Sequence, residues 1–309
     1  MPSVSLPSRP ACPAPFARAP RAQGGHHERL HLPTTGLQGA VVAVVCRDIR
    51  GTPLDDAQRL THFPASPLMC LSCFQGFDVG LVEPTGGGKS WRPFDSHVMV
   101  SGSQSAPTVT WAPGPGRGVI VILTVDVAQA LFGLDARLLQ DRFVPAREAL
   151  DSSWRPLLDA LRSAPDDAAS LRALERHLAP RWQALRPAQA PLASLRRIGR
   201  HWLQHLAWQA MQWRRTHSPR QVERRIKAMS GRSLREWTAL VRTEGLFFAA
   251  RQRYEAGAPF DWAGLAQEEG FADQAHLVRA TKRITGFAPA EFARRYAEDE
   301  SFWLYRLWV

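Results

Sequence analysis

Ser218-Pro-Arg-Gln-Val-Glu-Arg-Arg-Ile-Lys-Ala-Met-Ser-Gly231 and Gly270-Phe-Ala-Asp-Gln-Ala-His-Leu-Val-Arg-Ala-Thr-Lys-Arg-Ile-Thr-Gly286 decide how this sequence is read. Each has a turn, a short helix with an apolar stripe, a basic outer face and a closing glycine. In the first, Ser218 can cap, Pro219 suits the first helical position and Gln221 completes a capping box. Val222, Ile226 and Met229 then share one face at i, i+4 and i+7, while Arg220, Arg224 and Lys227 share another. Gly231 ends the helix. Ser233-Leu-Arg-Glu236 is a second capping box, opening a long helix to Ala256 with Leu234, Trp237, Val241 and Phe248 inside; Gly257-Ala-Pro259 stops it.

The second stretch repeats the scheme. Trp262, Leu265 and Ala266 begin a short helix, Gly270 permits a left-handed turn, and Phe271 anchors that turn in the core. Asp273 can cap the next helix. Its inward stripe is Leu277, Thr281 and Ile284; Gln274, His276, Arg279, Lys282 and Arg283 face out. Gly286 closes it, and Pro289 and Phe292 suggest a last short helix packing back. Upstream, Ile198, Trp202, Leu206, Ala210 and Trp213 recur at helical spacing and form a scaffold before the first turn. Two helix-turn-helix units are therefore expected, each presenting a basic helix suited to a DNA groove.

Charge follows the same division. Of the net +11, residues 194–297 carry +10, with 19 Lys and Arg against 9 Asp and Glu. Residues 1–193 carry +3 and the last twelve residues −2. A basic excess confined to one third of the chain is an electrostatic footprint for nucleic acid, although a solvated arginine-rich surface has the same composition. No run approaches eighteen apolar residues, so no membrane span is expected. Four cysteines, at 12, 46, 70 and 73, have no framework spacing, and the chain reads as a reduced, cytoplasmic protein.

Working outward to the N-terminal half, residues 1–30 are rich in Pro, Ala and Arg and read as a disordered tail. From His31 to Asp126 short apolar runs alternate with Gly and Pro: Ala40–Val45, Leu68–Phe74, His97–Ser101, Thr108–Trp111 and Val119–Val125. These suggest a small sandwich or barrel. From Val127 helical spacing takes over, at Leu131, Leu134 and Leu138, at Trp154, Leu157, Leu158 and Leu161, and at Leu171, Leu174 and Leu178. The class is α+β. A β-rich sensory or dimerisation domain with trailing helices is expected over 31–190, a hinge at Pro187–Pro191, an all-α domain over 191–297 and an apolar tail over 298–309. That tail, Ser301-Phe-Trp-Leu-Tyr-Arg-Leu-Trp-Val309, is expected to pack back on its own domain, the alternative being a docking site for a partner.

Three apparent sites do not hold up. Gly86-Gly-Gly-Lys89-Ser90 ends like a phosphate-binding loop, but Glu83 stands where the required glycine belongs, and a hairpin loop fits better. Cys70 and Cys73 point to opposite faces of a strand, with no second pair to complete a zinc site. His26, His27 and His31 read as a solvated cluster, and no metal or cofactor is expected. Phe74, Trp91, Phe94 and Trp111 either line a small-molecule pocket or form core. Nothing supports catalysis, and the chain is read as a non-enzyme.

The residues Ala266…Gly270-Phe271-Ala-Asp-Gln-Ala-His-Leu277…Arg279…Lys282-Arg283…Gly286…Pro289…Phe292, with Ser218…Val222…Arg224…Ile226…Gly231, resemble the double helix-turn-helix domain of the AraC/XylS family of bacterial transcription regulators. The resemblance spans about residues 200–297. Residues 30–190 resemble the cupin-like half that precedes it in some members, through Phe63-Pro-Ala-Ser-Pro67, Val100-Ser-Gly-Ser-Gln104, Leu131-Phe-Gly-Leu-Asp135 and Phe143-Val-Pro-Ala-Arg147. There is no His-x-His pair, so no metal centre is implied. The family departs from this sequence at Thr281, where it usually has a core Phe, and before Ser218, where Gln212 and Thr216 replace an Ala-x-x-x-Gly turn pattern.

The resemblance implies two recognition helices in successive major grooves. Base-facing positions match Arg220, Glu223 and Arg224, then Gln274, Ala275, His276 and Arg279. Lys227, Lys282 and Arg283 are placed for phosphates. Double-stranded operator DNA is the implied partner; RNA polymerase, an unknown small-molecule effector and a second copy of the chain are further ones. The competing reading is a small-molecule-binding protein or enzyme centred on the β domain, with the C-terminal part as a DNA anchor.

Overall fold

The computed structural model describes residues 12–22, 27–85, 88–185, 198–239, 241, 264 and 274–307. An N-terminal β-sheet domain is followed by helices in the C-terminal part, an α+β arrangement. Among the described residues ten strands form two antiparallel sheets. The larger has the order β1 (Glu28–His31), β2 (Ala43–Asp48), β9 (Arg117–Leu123), β4 (Met69–Gln75), β7 (Val98–Ser101) and β10 (Phe143–Pro145). The smaller runs β3 (Leu60–Phe63), β8 (Thr108–Trp111), β5 (Gly80–Thr85) and β6 (Gly88–Pro93). Within the larger sheet Cys70 lies opposite Ile122 on one side and Ser101 on the other.

Both faces of the larger sheet are covered, which explains why β2 and β9 read as unbroken apolar runs instead of alternating. Val44, Leu71, Cys73, Val100, Val119 and Val121 turn toward helices and join one core with Leu157, Leu158, Leu161, Leu174 and Leu178. Those helices are α1 (Val125–Phe132), α2 (Ala136–Leu139), α3 (Ala146–Ala149), α4 (Arg155–Ser163) and α5 (Asp167–Leu185). On the other face Ala43, Val45, Ile120 and Ile122 pack with Trp303 and Leu304. Cys70 and Cys73 thus do face opposite ways, Cys73 into the helical core and Cys70 against the second cluster.

The C-terminal elements are α6 (Ile198–Trp213), α7 (Pro219–Ser230), α8 (Gln274–Thr285), α9 (Pro289–Glu298) and α10 (Trp303–Leu307). Leu206, Ala210, Val222, Ile226, Trp237 and Ile284 belong to the same apolar core as the β region. Residues 298–307 do not pack only on their own helices, as the sequence suggested. Trp303 Nε1 donates to Thr61 Oγ1 of β3 (3.0 Å), and Arg47 of β2 pairs with Glu300 (2.9 Å). Phe302 and Tyr305 instead join Phe287, Phe292 and Tyr296 in a separate aromatic cluster.

Residues 12–22, placed in a disordered tail from composition, are held against this segment. Arg21 N–H donates to the Glu298 carbonyl (2.9 Å), Arg295 Nη2 donates to the Phe16 carbonyl (2.8 Å), and Arg18 pairs with Glu298 (2.6 Å) and Asp299 (3.1 Å). Backbone pairing and ion pairs fix a stretch that has little apolar area of its own. The hairpin expected around Gly86-Gly-Gly is formed by β5 and β6, with Thr85 opposite Gly88. Pro187–Pro191, the interior of the long helix after Val241, Trp262, Leu265, Ala266, Gly270, Phe271 and Asp273 lie outside the described residues.

Candidate nucleic-acid interface and inter-sheet cavity

Helix α7 forms for the reasons its sequence states. Ser218 N–H donates to Gln221 Oε1 (2.9 Å) and Gln221 N–H to Ser218 Oγ (3.4 Å), closing the capping box behind Pro219. Gly231 adopts φ +83°, and its N–H donates to the Lys227 carbonyl (2.9 Å). Val222 and Ile226 are buried; Arg220, Glu223, Arg224 and Lys227 are exposed. Arg225 lies over the Trp213 ring (5.5 Å), joining α7 to α6. Ser230 Oγ donates to the Ile226 carbonyl (2.8 Å) and accepts from Trp237 Nε1 (2.8 Å), tying the next helix to this one. Ser233 and Glu236 make the second capping box (2.8 and 3.3 Å), and the Ser233 hydroxyl (2.7 Å) and N–H, both donating to the Glu236 carboxylate, hold it below its ordinary pKa.

Helix α8 repeats this design. Leu277, Ala280, Thr281 and Ile284 are buried, while Ala275, Arg279, Lys282 and Arg283 are exposed and His276 is half-buried. Gln274 opens the helix, with its side chain outside the described atoms. Gly286 closes it at φ +83°, donating to the Lys282 carbonyl (2.9 Å). Thr281, which takes the place of an expected phenylalanine, is fully buried and its hydroxyl has no hydrogen-bond partner.

The cations on these two helices differ from the buried arginines of the protein. Arg47, Arg117 and Arg295 are each locked to carboxylates. Among the described residues, Arg220, Arg224, Lys227, Arg279, Lys282 and Arg283 enter no ion pair. Their charge is left to solvent, on the outer faces of two helices that each close at a left-handed glycine.

Between the sheets lies a cavity of about 150 Å³. Cys70, Ser72, Phe74, Met99, Ser101, Ile120 and Ile122 line it from the larger sheet and Thr108 and Thr110 from the smaller. Phe292, Tyr296, Leu304 and Tyr305 of the C-terminal helices close it. Of the four aromatic residues singled out in the sequence, Phe74 and Phe94 border the cavity, stacked 5.9 Å apart. Trp91 and Trp111 do not: they meet edge to face (5.4 Å) in a cluster with Leu60 and Val82. The closing residues from α9 and α10 were missed, because no sequence pattern links the tail to strands roughly 170 to 240 positions earlier.

His31, Cys46 and Asp167 bring metal-ligating atoms within 4.8 Å of one another. A cationic group already stands there. The buried Arg117 donates to Asp167 Oδ1 from Nε (3.2 Å) and Nη2 (2.7 Å), and His31 Nε2 lies 3.1 Å from Oδ2. Burial pushes the Cys46 thiol up to about 12, so it stays protonated. Burial also opposes ionisation of Asp167, but hydrogen bonds from Arg117 and His31 outweigh it and hold that carboxyl low. This is an internal ion-pair network and a poor metal site, since a dication would face a fixed guanidinium. His31 is thereby part of a packed network and not of a solvated cluster; His27 lies 3.2 Å from Thr52 Oγ1, and His26 is outside the described residues.

No protein-family model matches the chain, and no curated protein does. Solved structures of ToxT from Vibrio cholerae do. An apo point variant from strain SCE256 aligns at TM-score 0.40 and 11% identity, covering 81% of this chain and 96% of that one. A 1.65 Å structure aligns at 0.38 and 10%, covering 86% and 97%. Wild-type ToxT bound to an unsaturated fatty acid aligns at 0.35 and 12%, covering 76% and 93%. Superpositions this loose transfer no residue roles. The solved structures that this two-part chain resembles are those of an AraC/XylS family regulator, the family its helix-turn-helix residues also resemble.

Proposed function

We propose that this chain is a sequence-specific, double-stranded DNA-binding transcription regulator, with α7 and α8 as recognition helices and the β region as the seat of a small-molecule effector. The observation that carries this reading is the set of six exposed cations without an ion-pair partner on two helices that each end at a left-handed glycine. Arg220, Arg224 and Arg279 have the reach to read guanine edges, with Glu223, Gln274, Ala275 and His276 beside them. Lys227, Lys282 and Arg283 hold phosphates. No helix among the described residues is long and apolar enough to cross a membrane.

The cavity suits an uncharged, compact apolar effector. Among the described residues its lining offers hydroxyls, one thiol and the Gln104 amide but no charged side chain. A dry apolar cavity of this order takes molecules of about benzene's size. Contact with RNA polymerase and pairing with a second copy of the chain belong to the same reading.

Salt titration of binding to the DNA upstream of its own coding sequence tests the proposal. Three phosphate contacts give a log–log slope of about −3. A slope near zero, or equal affinity for scrambled DNA, removes sequence-specific binding. Selection from a random DNA pool then shows whether two short elements one helical turn apart are recovered, as two recognition helices require.

A further inference from the structure

The two proposed recognition helices share one register. Aligned on their closing glycines, Gly231 and Gly286, α7 and α8 match position for position. Both glycines stand at φ +83°, and each donates to the carbonyl of a lysine one turn back, Lys227 or Lys282, at 2.9 Å. The residue before each glycine carries a buried hydroxyl that donates one turn back, Ser230 to the Ile226 carbonyl and Thr285 to the Thr281 carbonyl, at 2.8 Å in both cases. The buried stripes correspond too: Val222 falls on Leu277 and Ile226 on Thr281.

The outward faces agree only in part. Two cations are kept, Arg224 at the position of Arg279 and Lys227 at that of Lys282, and all four are exposed. Nearer the helix start the chemistry changes. Arg220 and Glu223 of α7 correspond to Ala275 and Val278 of α8, again all exposed. Val278 is 36% exposed, an apolar β-branched residue on the solvent side of a helix whose inner stripe is already filled. Exposed valines scattered singly are ordinary. This one lies a turn beyond Ala275 in the first half of the helix, the half that meets base edges when a helix lies in the major groove. Side chains three residues apart on a helix are about 5–6 Å apart at Cβ, so the two form one small apolar patch beside Arg279. Alkyl groups make no hydrogen bond to a base. What the major groove offers them is the C5-methyl of thymine, whereas Arg takes guanine O6 and N7 and Glu the cytosine amine. Gln274, which opens α8, has the amide that pairs with adenine, the partner of thymine.

We infer that the DNA site of this chain is chemically two-sided: Ala275 and Val278 read thymine methyl groups in the element under α8, while Arg220 and Glu223 read guanine and cytosine in the element under α7. This rests on the reading of those helices as the DNA-contacting pair. Val278 is the residue that sets the thymine preference, by burying a methyl group that cytosine lacks. A methyl contact releases no counterions, so its share of the affinity is the same at every salt concentration, unlike that of Lys282.

The test uses the full chain and a site recovered from a random DNA pool. Arg279→Ala marks the element under α8 by relaxing the preference at one of its base pairs. Each thymine of that element is then replaced by deoxyuridine, which removes the C5-methyl and keeps every hydrogen-bonding group. At least one replacement is expected to weaken binding about fourfold, as for one buried methyl group, and the loss should shrink below about twofold in Val278→Ala. Val278 is exposed and alanine the better helix former, so that variant keeps its fold. The loss is expected to be equal at low and high salt, and deoxyuridine in the element under α7 should leave affinity unchanged. Val278→Glu, which copies Glu223, should move the preference at the sensitive base pair from thymine to cytosine. Methyl removal without cost throughout the element under α8 overturns the inference. So does a loss of undiminished size in Val278→Ala, or a retained thymine preference in Val278→Glu. A pool that yields no preferred sequence removes the function proposed above together with this inference. A recovered site indifferent to its thymine methyls removes this inference alone and leaves that function standing.

Discussion

Arg47 of β2 and Glu300, 253 positions later in the chain, form an ion pair at 2.9 Å in which both side chains are almost sealed from water. The Arg47 guanidinium also lies over the Trp303 ring at 4.9 Å. Removing one partner of such a pair strands a charge in a low-dielectric interior. Arg47→Met should therefore cost about 3–5 kcal/mol in denaturant-induced unfolding. A cost below about 1 kcal/mol, the range of a surface pair, would show that water reaches Glu300 and that the tail is not part of the sandwich.

His62 of β3 is buried against Phe287 (5.4 Å) and Phe302 (4.9 Å), and its Nε2 has no hydrogen-bond partner. Burial, with a smaller contribution from Arg295, pushes its pKa down to about 3. Between that value and the ordinary one near 6.5 the unfolded chain binds a proton that the folded chain refuses. Its contribution to stability is present in full above pH 6.5 and is lost as pH falls toward 3. His62→Phe keeps an aromatic ring and removes the titration, so the acid limb of its stability profile should flatten. Parallel profiles for the two proteins between pH 6.5 and 4 would rule His62 out as the source.

How much of this was legible beforehand varies with the reach of the interaction. Ser218, Gln221 and Gly231 act on their own helix, and their spacing announced both its start and its stop. Strands β4, β7, β8 and β9 are apolar, β-branched runs and stood out. By contrast β5 and β6 contain Pro84 and Pro93 and few β-branched residues; Pro93 sits in the edge strand β6 and Pro84 in the part of β5 beyond its pairing with β8, where a missing N–H is tolerated. Trp91 and Trp111 have the composition of a pocket and the position of a core. Phe74 and Phe94, read as possible pocket residues, do border the cavity, but its closing side could not be read, since residues 292–305 reach it from across the chain.

Thr281 gives a prediction of the opposite sign to most substitutions. Its hydroxyl is fully buried without a partner. Thr281→Val keeps the shape and discards the stranded group, and should stabilise the protein by roughly 1 kcal/mol. Thermal and denaturant unfolding would both register it. A destabilised Val variant would mean that the hydroxyl is hydrogen-bonded in solution.

The two classes of cation on α7 and α8 should separate in binding experiments. Arg224→Ala or Arg279→Ala, at proposed base-reading positions, should cost about 1–3 kcal/mol and relax preference at one base pair. Lys227→Ala or Lys282→Ala should weaken binding to every sequence alike and lower the salt slope by about 1 each. If all four substitutions act alike on specific and scrambled DNA, these side chains touch phosphates only.

The closure of the β sandwich by Phe292, Tyr296, Trp303 and Leu304 has a consequence for synthesis order. A ribosome makes this chain from the amino end, and preceding segments begin to fold as they emerge. Strands β2, β4 and β9 can pair early, yet their inner face stays uncovered until residues synthesised some 170 positions later arrive. The first half of the protein is thus a nascent-chain hazard, with Ile120, Ile122 and Val45 exposed for the time needed to make the second half. A stop codon anywhere between α6 and α9 leaves that surface bare, and the truncated product carries its own signal for chaperone capture or degradation.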